Sequence, residues 1–440
     1  MKRILLTLIF LAIIIGANAQ NPIIQTIFTA DPAPMVYKDT LYLYTGHDED
    51  DAPDVGFKML NWKCYTSTDM KNWRERGTIA STANFSWAVS NSAWAPQCVF
   101  RNGKFYFYCP IKQKKNGTMS IAVAVANSPT GPFIDVLGKP LIQNSSEDID
   151  PTVYIDDDGQ AYLYWGNPNV YYVKLNQDMI SYSGDIVKVP SKPKNYQEGP
   201  WFYKRNGLYY LAYSSTCCPE GIGYCTSTSP TGPWLYRGLI MKGQKESAGN
   251  QPGIIDYKGR SYIFGFNAAL PGRGNQRRSV SADELVYNAD GTISTFEWSA
   301  TGPSQICSLN PYVRTEAETI AGSSGVRTEK DSITGVYVTK INNGDYIKVG
   351  GVDFGKGAKK FEASLASTNQ GGSIDIRLDS TTGTLIGTCN LKNTGGSHSW
   401  KTQSCKVKII KGIHDLYFVF KGGNGDLFNF DWWKFSTGRK

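Results

Sequence analysis

Three acidic residues occupy matching places along the chain. Asp31 opens DPAPMVY (31–37), Asp150 opens DPTVYI (150–155) and Glu198 opens EGPWFY (198–203), so that a proline follows each acid within two residues. A short apolar strand follows each proline. Two related phrases lack the acid: APQCVF (95–100) begins with Ala95, and QPGIID (251–256) begins with Gln251. Carboxylates that face one another across a confined pocket repel, and at least one of them then holds a proton near neutral pH. Such a set supplies both an acid and a base. Hydrolysis of a glycosidic bond calls for that combination: one carboxylic acid protonates the leaving oxygen, and a second carboxylate activates water or attacks the sugar. Carboxylates carried on separate elements across a channel fit the wider spacing of roughly 6.5–9.5 Å, which leaves room for a water and inverts configuration. Turn chemistry accounts for any single Asp-Pro, but not for acids at three of five matched positions.

The elements that must position these acids form a repeat. Period-two alternation dominates, and no helical periodicity of ten or more residues follows residue 19, so the chain is all-β. A turn and an aromatic-rich strand recur as DTLYLY, GKFYFY, GQAYLY, GLYYLA and GRSYIF, which align Tyr42, Tyr106, Tyr162, Tyr210 and Tyr262. Their spacings of 64, 56, 48 and 52 residues each accommodate about four short strands. The expected fold is a five-bladed β-propeller, with the first strand of each blade lining the central channel. Asp31, Ala95, Asp150, Glu198 and Gln251 should then converge near the axis. A second phrase, seen in YTSTDMKNW, VANSPTGPF and CTSTSPTGPW, reads as the hairpin turn of an outer strand pair.

Residues 21–305 resemble glycoside hydrolase family 43, most closely its arabinoxylan arabinofuranohydrolase branch, through TADPAPMVYKDTLYLYTGHDED, SAWAPQ, DIDPTVYIDDDGQAYLYWGN, EGPWFYKRNGLYYLAYS and RRSV. The resemblance implies an inverting five-bladed propeller in which Asp31 is the general base, Glu198 the general acid, and Asp150 orients the acid and tunes its pKa. It further implies that Trp94 and Trp165 wall the sugar pocket and that Arg278 binds sugar hydroxyls. Only one of Arg277 and Arg278 can point inward on a strand. The expected activity is release of terminal sugars from plant hemicellulose, foremost the α-L-arabinofuranosyl branches of arabinoxylan. A β-xylosidase or a galactan-directed exo-hydrolase shares the fold, and a noncatalytic glycan-binding propeller is the competing class. That last reading expects one of the three acids to be replaced. No cofactor is expected in catalysis. Where the family has a His near an axial calcium, this chain has Asn250-Gln251-Pro252-Gly253, which counts against that ion. The loop His47-Asp48-Glu49-Asp50-Asp51 reads as a solvated acidic rim.

After the loop-like TGPSQICSLNPY (301–312) the blade phrases stop, and residues 310–440 alternate at shorter spacing, which predicts a β-sandwich of jelly-roll type behind a propeller domain over 20–305. TEAET, NNGDYIKV, GSIDIRLDSTTGTLIGT and GNGDLFNFDWWKF resemble a family 6 carbohydrate-binding module. By that resemblance Tyr337 and Trp400 flank a sugar ring, Asn429 hydrogen-bonds it, and Glu316, Glu318 and Asp431 lie near a structural calcium.

Residues 1–19 read as a secretory signal peptide: Lys2 and Arg3, an apolar run from Ile4 to Ile15, then Ala17-Asn18-Ala19. That run is too short to span a bilayer, and no cysteine at the cut suggests a lipid anchor. A secreted or periplasmic protein without a membrane anchor is expected. Losing the two leader cations takes the formal charge from +8 to +6, without a basic run that would suit nucleic acid. With 19% charged and 13% aromatic residues, the surface suits neutral polyhydroxylated ligands, such as cell-wall polysaccharide or oligosaccharide, bound by a monomer. The nine cysteines show no zinc-type spacing, and Cys389 with Cys405 is the expected disulfide.

Overall fold

The computed structural model describes residues 20–53, 55–216, 219–243, 249–272, 274, 276–368 and 372–437. Residues 1–19, read above as a leader, and the pair Cys217 and Cys218 lie outside the described residues. Blade 1 comprises β1 (Thr29–Tyr37), β2 (Thr40–His47), β3 (Asn61–Ser67) and β4 (Trp73–Ser81). Blade 2 follows with β5 (Gln97–Arg101), β6 (Lys104–Lys112), β7 (Met119–Ala126) and β8 (Ile134–Asp135). Blade 3 has β9 (Thr152–Ile155), β10 (Ala161–Trp165), β11 (Tyr171–Leu175) and β12 (Tyr182–Lys188). Blade 4 has β13 (Tyr196–Arg205), β14 (Leu208–Ser215), β15 (Gly221–Ser227) and β16 (Leu235–Met241), and blade 5 has β17 (Gly253–Tyr257), β18 (Arg260–Asn267) and β19 (Ser279–Glu284). Within each blade consecutive strands pair antiparallel.

The repeat read from the sequence is this blade. The five aligned tyrosines all fall on second strands, and the TSTD and SPTG phrases form the β3–β4, β7–β8 and β15–β16 turns. Each second strand lies between two blades, so both of its faces are covered. In β14 this buries Tyr209, Leu211 and Tyr213 on one side and Tyr210 and Ala212 on the other. First strands touch around the axis, β1 against β5 and β17, and β9 against β5 and β13. Among the described residues blade 5 has three strands, and the segment before β1 closes the ring along β19: Ile23 N–H donates to Val280 O at 2.9 Å, and Asn21 Oδ1 accepts from Ala282 N–H at 3.0 Å.

The second domain holds β20 (Thr315–Glu316), β21 (Thr319–Ile320), β22 (Gly322–Ser324), β23 (Arg327–Asp331), β24 (Gly335–Thr339), β25 (Tyr346–Asp353) and β26 (Ala358–Ser367). It continues with β27 (Gly372–Leu378), β28 (Leu385–Asn390), β29 (Gly396–Ile410), β30 (Ile413–Gly422) and β31 (Asn429–Ser436). Its sheets, ordered β23-β24-β31-β26-β29 and β22-β25-β30-β27-β28, enclose a core that includes Val338, Ile347, Phe361, Phe418 and Trp433. The expected disulfide is absent: Cys389 on β28 and Cys405 on β29 are free thiols, joined by a side-chain hydrogen bond.

The two domains share a sheet. β21 pairs with β4 of blade 1, Thr319 opposite Arg74 and Ile320 opposite Trp73. Around this seam Asn72 and Gly350 exchange two hydrogen bonds of 2.8 and 3.0 Å, and Thr328 donates to the buried Glu75 at 2.6 Å. Truncation after Ser308 would strip these partners from blade 1. Each lost bond weighs about 1 kcal/mol, so the isolated propeller is expected to melt roughly 5 °C or more below the full chain. Calorimetry of both forms checks this, and equal melting temperatures would mean that the seam contributes nothing.

Candidate active site

All five residues expected to converge do so: Asp31, Ala95, Asp150, Glu198 and Gln251 line one pocket of about 240 Å³, together with Phe57, Met59, Trp94, Asn167 and Arg278. The backbone explains the spelling of the three acidic phrases. The residues directly before Pro32, Pro151 and Pro200 are Asp31, Asp150 and Gly199, with φ of 53°, 56° and 61°. This left-handed region suits Gly, Asn and Asp and strains other side chains. In blades 1 and 3 the acid occupies the strained position itself. In blade 4 a Cβ at Gly199 would lie 2.6 Å from Gln251 Oε1 and 3.0 Å from Asn250 O, so glycine is required there and the acid stands one residue earlier. The ladder is irregular at the same places, between Ala30 and Ala33 in β1 and on both sides of Glu198 in β13.

Arg278 ties the acids together. Its Nη1 donates to Asp31 Oδ1 at 2.9 Å, while Nε and Nη2 grip Asp48 with two bonds of 3.0 Å. Its guanidinium also lies over the Phe57 ring, 4.5 Å from the centroid. Arg277 turns away to the carbonyls of Gly272 and Ala52, as strand alternation requires. The solvated-rim reading of the 47–51 loop is therefore corrected at Asp48, which is 0% exposed. Bidentate pairing with a buried guanidinium offsets the desolvation that otherwise keeps an aspartate at the surface.

One guanidinium faces several buried acids, so they cannot all ionise. Burial pushes Asp31 up to about 7, against the pull of Arg278 and with the charges of Asp48 and Glu198 adding to the rise. Asp150 is raised well above the usual carboxylate range, first by burial and then by Glu198 and Asp31, and its Oδ2 accepts the Gly199 N–H at 3.2 Å. That bond fixes the turn carrying Glu198. Glu198 is pushed up to about 8 by burial and by the charge of Glu220, and its Oε2 accepts from Asn167. If Asp31 must be ionised and Glu198 protonated, activity should fall below about pH 7 as Asp31 gains its proton, and above about pH 8 as Glu198 loses its own. A bell-shaped kcat/KM profile with limbs near those values is expected, and a flat profile across pH 6–9 would contradict this reading of the pair.

Trp94 lines the pocket as expected, but Trp165 does not. It is fully buried between blades, stacked on Tyr171, with Nε1 donating to Asp148 at 2.9 Å. As the last residue of β10, it faces the blade interface instead of the axis. In the second domain Tyr337 is 2% exposed and meets Trp400 edge to face at 5.3 Å, and Tyr337 lines, with His398 and Asn429, a cavity of about 200 Å³ whose lining does not include Trp400. Asn429 Nδ2 donates to Ser397 O and its Oδ1 accepts from Thr339 Oγ1, at 2.8 Å each. Asn167, Asp48 and Glu220 were not anticipated as site residues. Asn167 sits in the quoted YWGN phrase, two positions after Trp165, and that phrase was the available signal.

Glu316, Glu318 and Asp431 share two arginines: Arg74 reaches Glu318 at 3.1 Å, and Arg314 lies 2.8 Å from Glu316 and 3.7 Å from Asp431. Among the described residues no three His, Cys, Asp or Glu side chains form a group that could hold a metal ion. Yet Glu318 Oε2 and Asp431 Oδ1 are buried without a hydrogen bond. Burial raises Glu318 to about 8 and Asp431 to about 6. Orphaned carboxylate oxygens fit a hard cation in kind.

Comparison with known proteins agrees with the geometry. Residues 19–293 match the model of glycosyl hydrolases family 43, and residues 316–437 match that of carbohydrate binding module family 6. The arabinoxylan arabinofuranohydrolase of Bacillus subtilis (strain 168) is 36% identical over 94% of this chain and 92% of its own. That of Paenibacillus polymyxa is 34% identical over 94% of this chain and 74% of its own. The crystal structure of a glycoside hydrolase family 43 arabinoxylan arabinofuranohydrolase from Bacillus subtilis in complex with cellotetraose superposes with a TM-score of 0.84 at 34% identity, covering 96% of this chain and 98% of that one. With its three acids on the propeller axis and a sandwich domain seamed to blade 1, the chain belongs to glycosyl hydrolases family 43 and carries a family 6 carbohydrate binding module.

Proposed function

We propose that the protein is an exported, inverting α-L-arabinofuranosidase that removes branches from arabinoxylan. The observation that carries this reading is one small pocket on which Asp31, Asp150, Glu198 and Arg278 all open. Its volume of about 240 Å³ falls below the roughly 300–1,000 Å³ of sites for drug-sized ligands. A single sugar unit suits it better than a polymer segment. Trp94 and Phe57 offer apolar surface to the CH face of that sugar. The leaving xylan chain stays outside.

In the proposed reaction Glu198 gives its proton to the glycosidic oxygen as the bond to the anomeric carbon breaks. Asp31, held by Arg278, takes a proton from the water whose oxygen bonds to that carbon from the opposite face. Asp150 anchors the Gly199 amide and so fixes the Glu198 backbone. The products are free arabinose of inverted configuration and an unbranched xylose hydroxyl.

Monosaccharide analysis of digests of wheat arabinoxylan, linear arabinan and xylobiose tests the substrate, with arabinose from the first as the expected product. Xylose from xylobiose as the main product would move the assignment to β-xylosidase. Proton NMR of the first turnovers tests stereochemistry, and a retained anomer would overturn the inverting role of Asp31. Amino-terminal sequencing of the mature protein should start at Gln20.

The proposal includes polymer binding by the sandwich domain through the half-buried Trp400, and a calcium to which Glu318 and Asp431 would offer their orphaned oxygens, with Glu316 as the third carboxylate. Chelation should lower the melting temperature and added calcium restore it. No shift in either direction would remove the ion.

A further inference from the structure

Glu220 lies directly before β15 and takes no part in the reaction described above. It is 1% exposed, although carboxylates are almost never so buried without partners. Its Oε2 accepts the Asn250 N–H at 2.6 Å, the Gly249 N–H also bonds to it, and its carboxyl group is hydrogen-bonded to that of Glu198. Two carboxyl groups can bond to each other only when one of them carries the proton.

The surroundings decide which one. Backbone amides of residues 249 and 250 point at Glu220 and favour negative charge there. Glu198 receives one amide proton, from Asn167. Among the described residues, the other charged groups acting on the pair are Asp31 at the start of blade 1, Asp150 before β9, and Arg278 before β19. Arg278 acts on both carboxyl groups, whereas the two backbone amides act on Glu220. The proton belongs on Glu198.

We propose that Glu220 is a positioning residue for the general acid: its carboxylate, pinned by the amides of Gly249 and Asn250, accepts a hydrogen bond from the Glu198 hydroxyl and keeps the proton there until the glycosidic oxygen takes it. This rests on Glu198 being the acid. A glutamate directly before β15, an inner strand of blade 4, thereby completes a site that the three axial acids do not complete alone.

The test is Glu220→Gln. A glutamine can still accept from the two amides, but its own NH₂ then donates to Glu198 and favours the ionised form. The alkaline limb of kcat/KM on arabinoxylan is expected to move from near 8 to lower pH by about one unit or more. kcat should fall more than KM rises, and an aryl arabinofuranoside with a good leaving group should show little of the shift. Glu220→Asp, which keeps the charge on a shorter stem, should restore part of the limb. An unmoved limb in Glu220→Gln, or a limb in Glu220→Asp displaced as far as in Glu220→Gln, with the fold confirmed by circular dichroism, overturns the proposal. If Glu220→Gln does not fold, Glu220→Ala is read in its place: loss of the carboxylate should lower the alkaline limb, and an unmoved limb overturns the proposal. Failure of the acid assignment itself would appear separately, as equal loss on both substrates in Glu198→Ala.

Discussion

Glu198→Ala is expected to lower kcat/KM on arabinoxylan about 10²- to 10⁴-fold, the range that a positioned proton donor contributes. Turnover of an aryl arabinofuranoside with an acidic phenol should fall far less. The difference follows from the leaving group. A xylose hydroxyl departs poorly as an alkoxide and needs the proton in the transition state, whereas a stabilised phenolate departs without one. Burial and the neighbouring Glu220 charge hold Glu198 protonated up to about pH 8, so the donor is present at neutral pH. The measurement is the ratio of the two kcat/KM losses. A ratio near one would remove Glu198 from the acid role.

Asp31→Asn should instead abolish both activities together, by about 10²-fold or more on each, because activation of water precedes every cleavage whatever the leaving group. The choice of asparagine matters. Asp31 sits at φ 53°, where Asn is tolerated as Asp is, while Ala would add backbone strain to the chemical loss. Asparagine also keeps an oxygen for Arg278 Nη1, so the pocket should persist. Azide, a nucleophile that needs no base, should restore turnover of the aryl substrate and yield a glycosyl azide of inverted configuration. Full residual hydrolysis in Asp31→Asn would end the base assignment.

Other side chains of the site take their roles from groups far away in the chain. Asp48 could not be separated from the half-buried Glu49 and the exposed Asp50 and Asp51 by local composition, because its partner Arg278 is 230 residues away. The loop around it also reaches the sandwich, where Asp50 lies 3.3 Å from Arg327. The pocket arginine and the second domain thus hold the same short segment, which is a reason to expect truncation to affect more than polymer binding.

Sequence alone determined the number of blades, the strand that faces the axis in each, and the three acids that meet there. Those features repeat, and strand periodicity with turn chemistry is a local code that repetition makes legible. Even the shift from Asp-Pro to Glu-Gly-Pro is written in three letters, although its cause, the absence of space for a Cβ at Gly199, is tertiary. Tertiary structure decided which tryptophan walls the pocket. Trp94 and Trp165 both sit in aromatic, family-like phrases, and only the packing of blades sends one to the cavity and the other into an interface. It also decided that Tyr337 and Trp400 touch, that β21 belongs to the propeller's edge, and that Glu220 shares a proton with Glu198. These outcomes depend on closing the ring and docking the sandwich, which bring together residues whose separation in sequence carries no periodic signal.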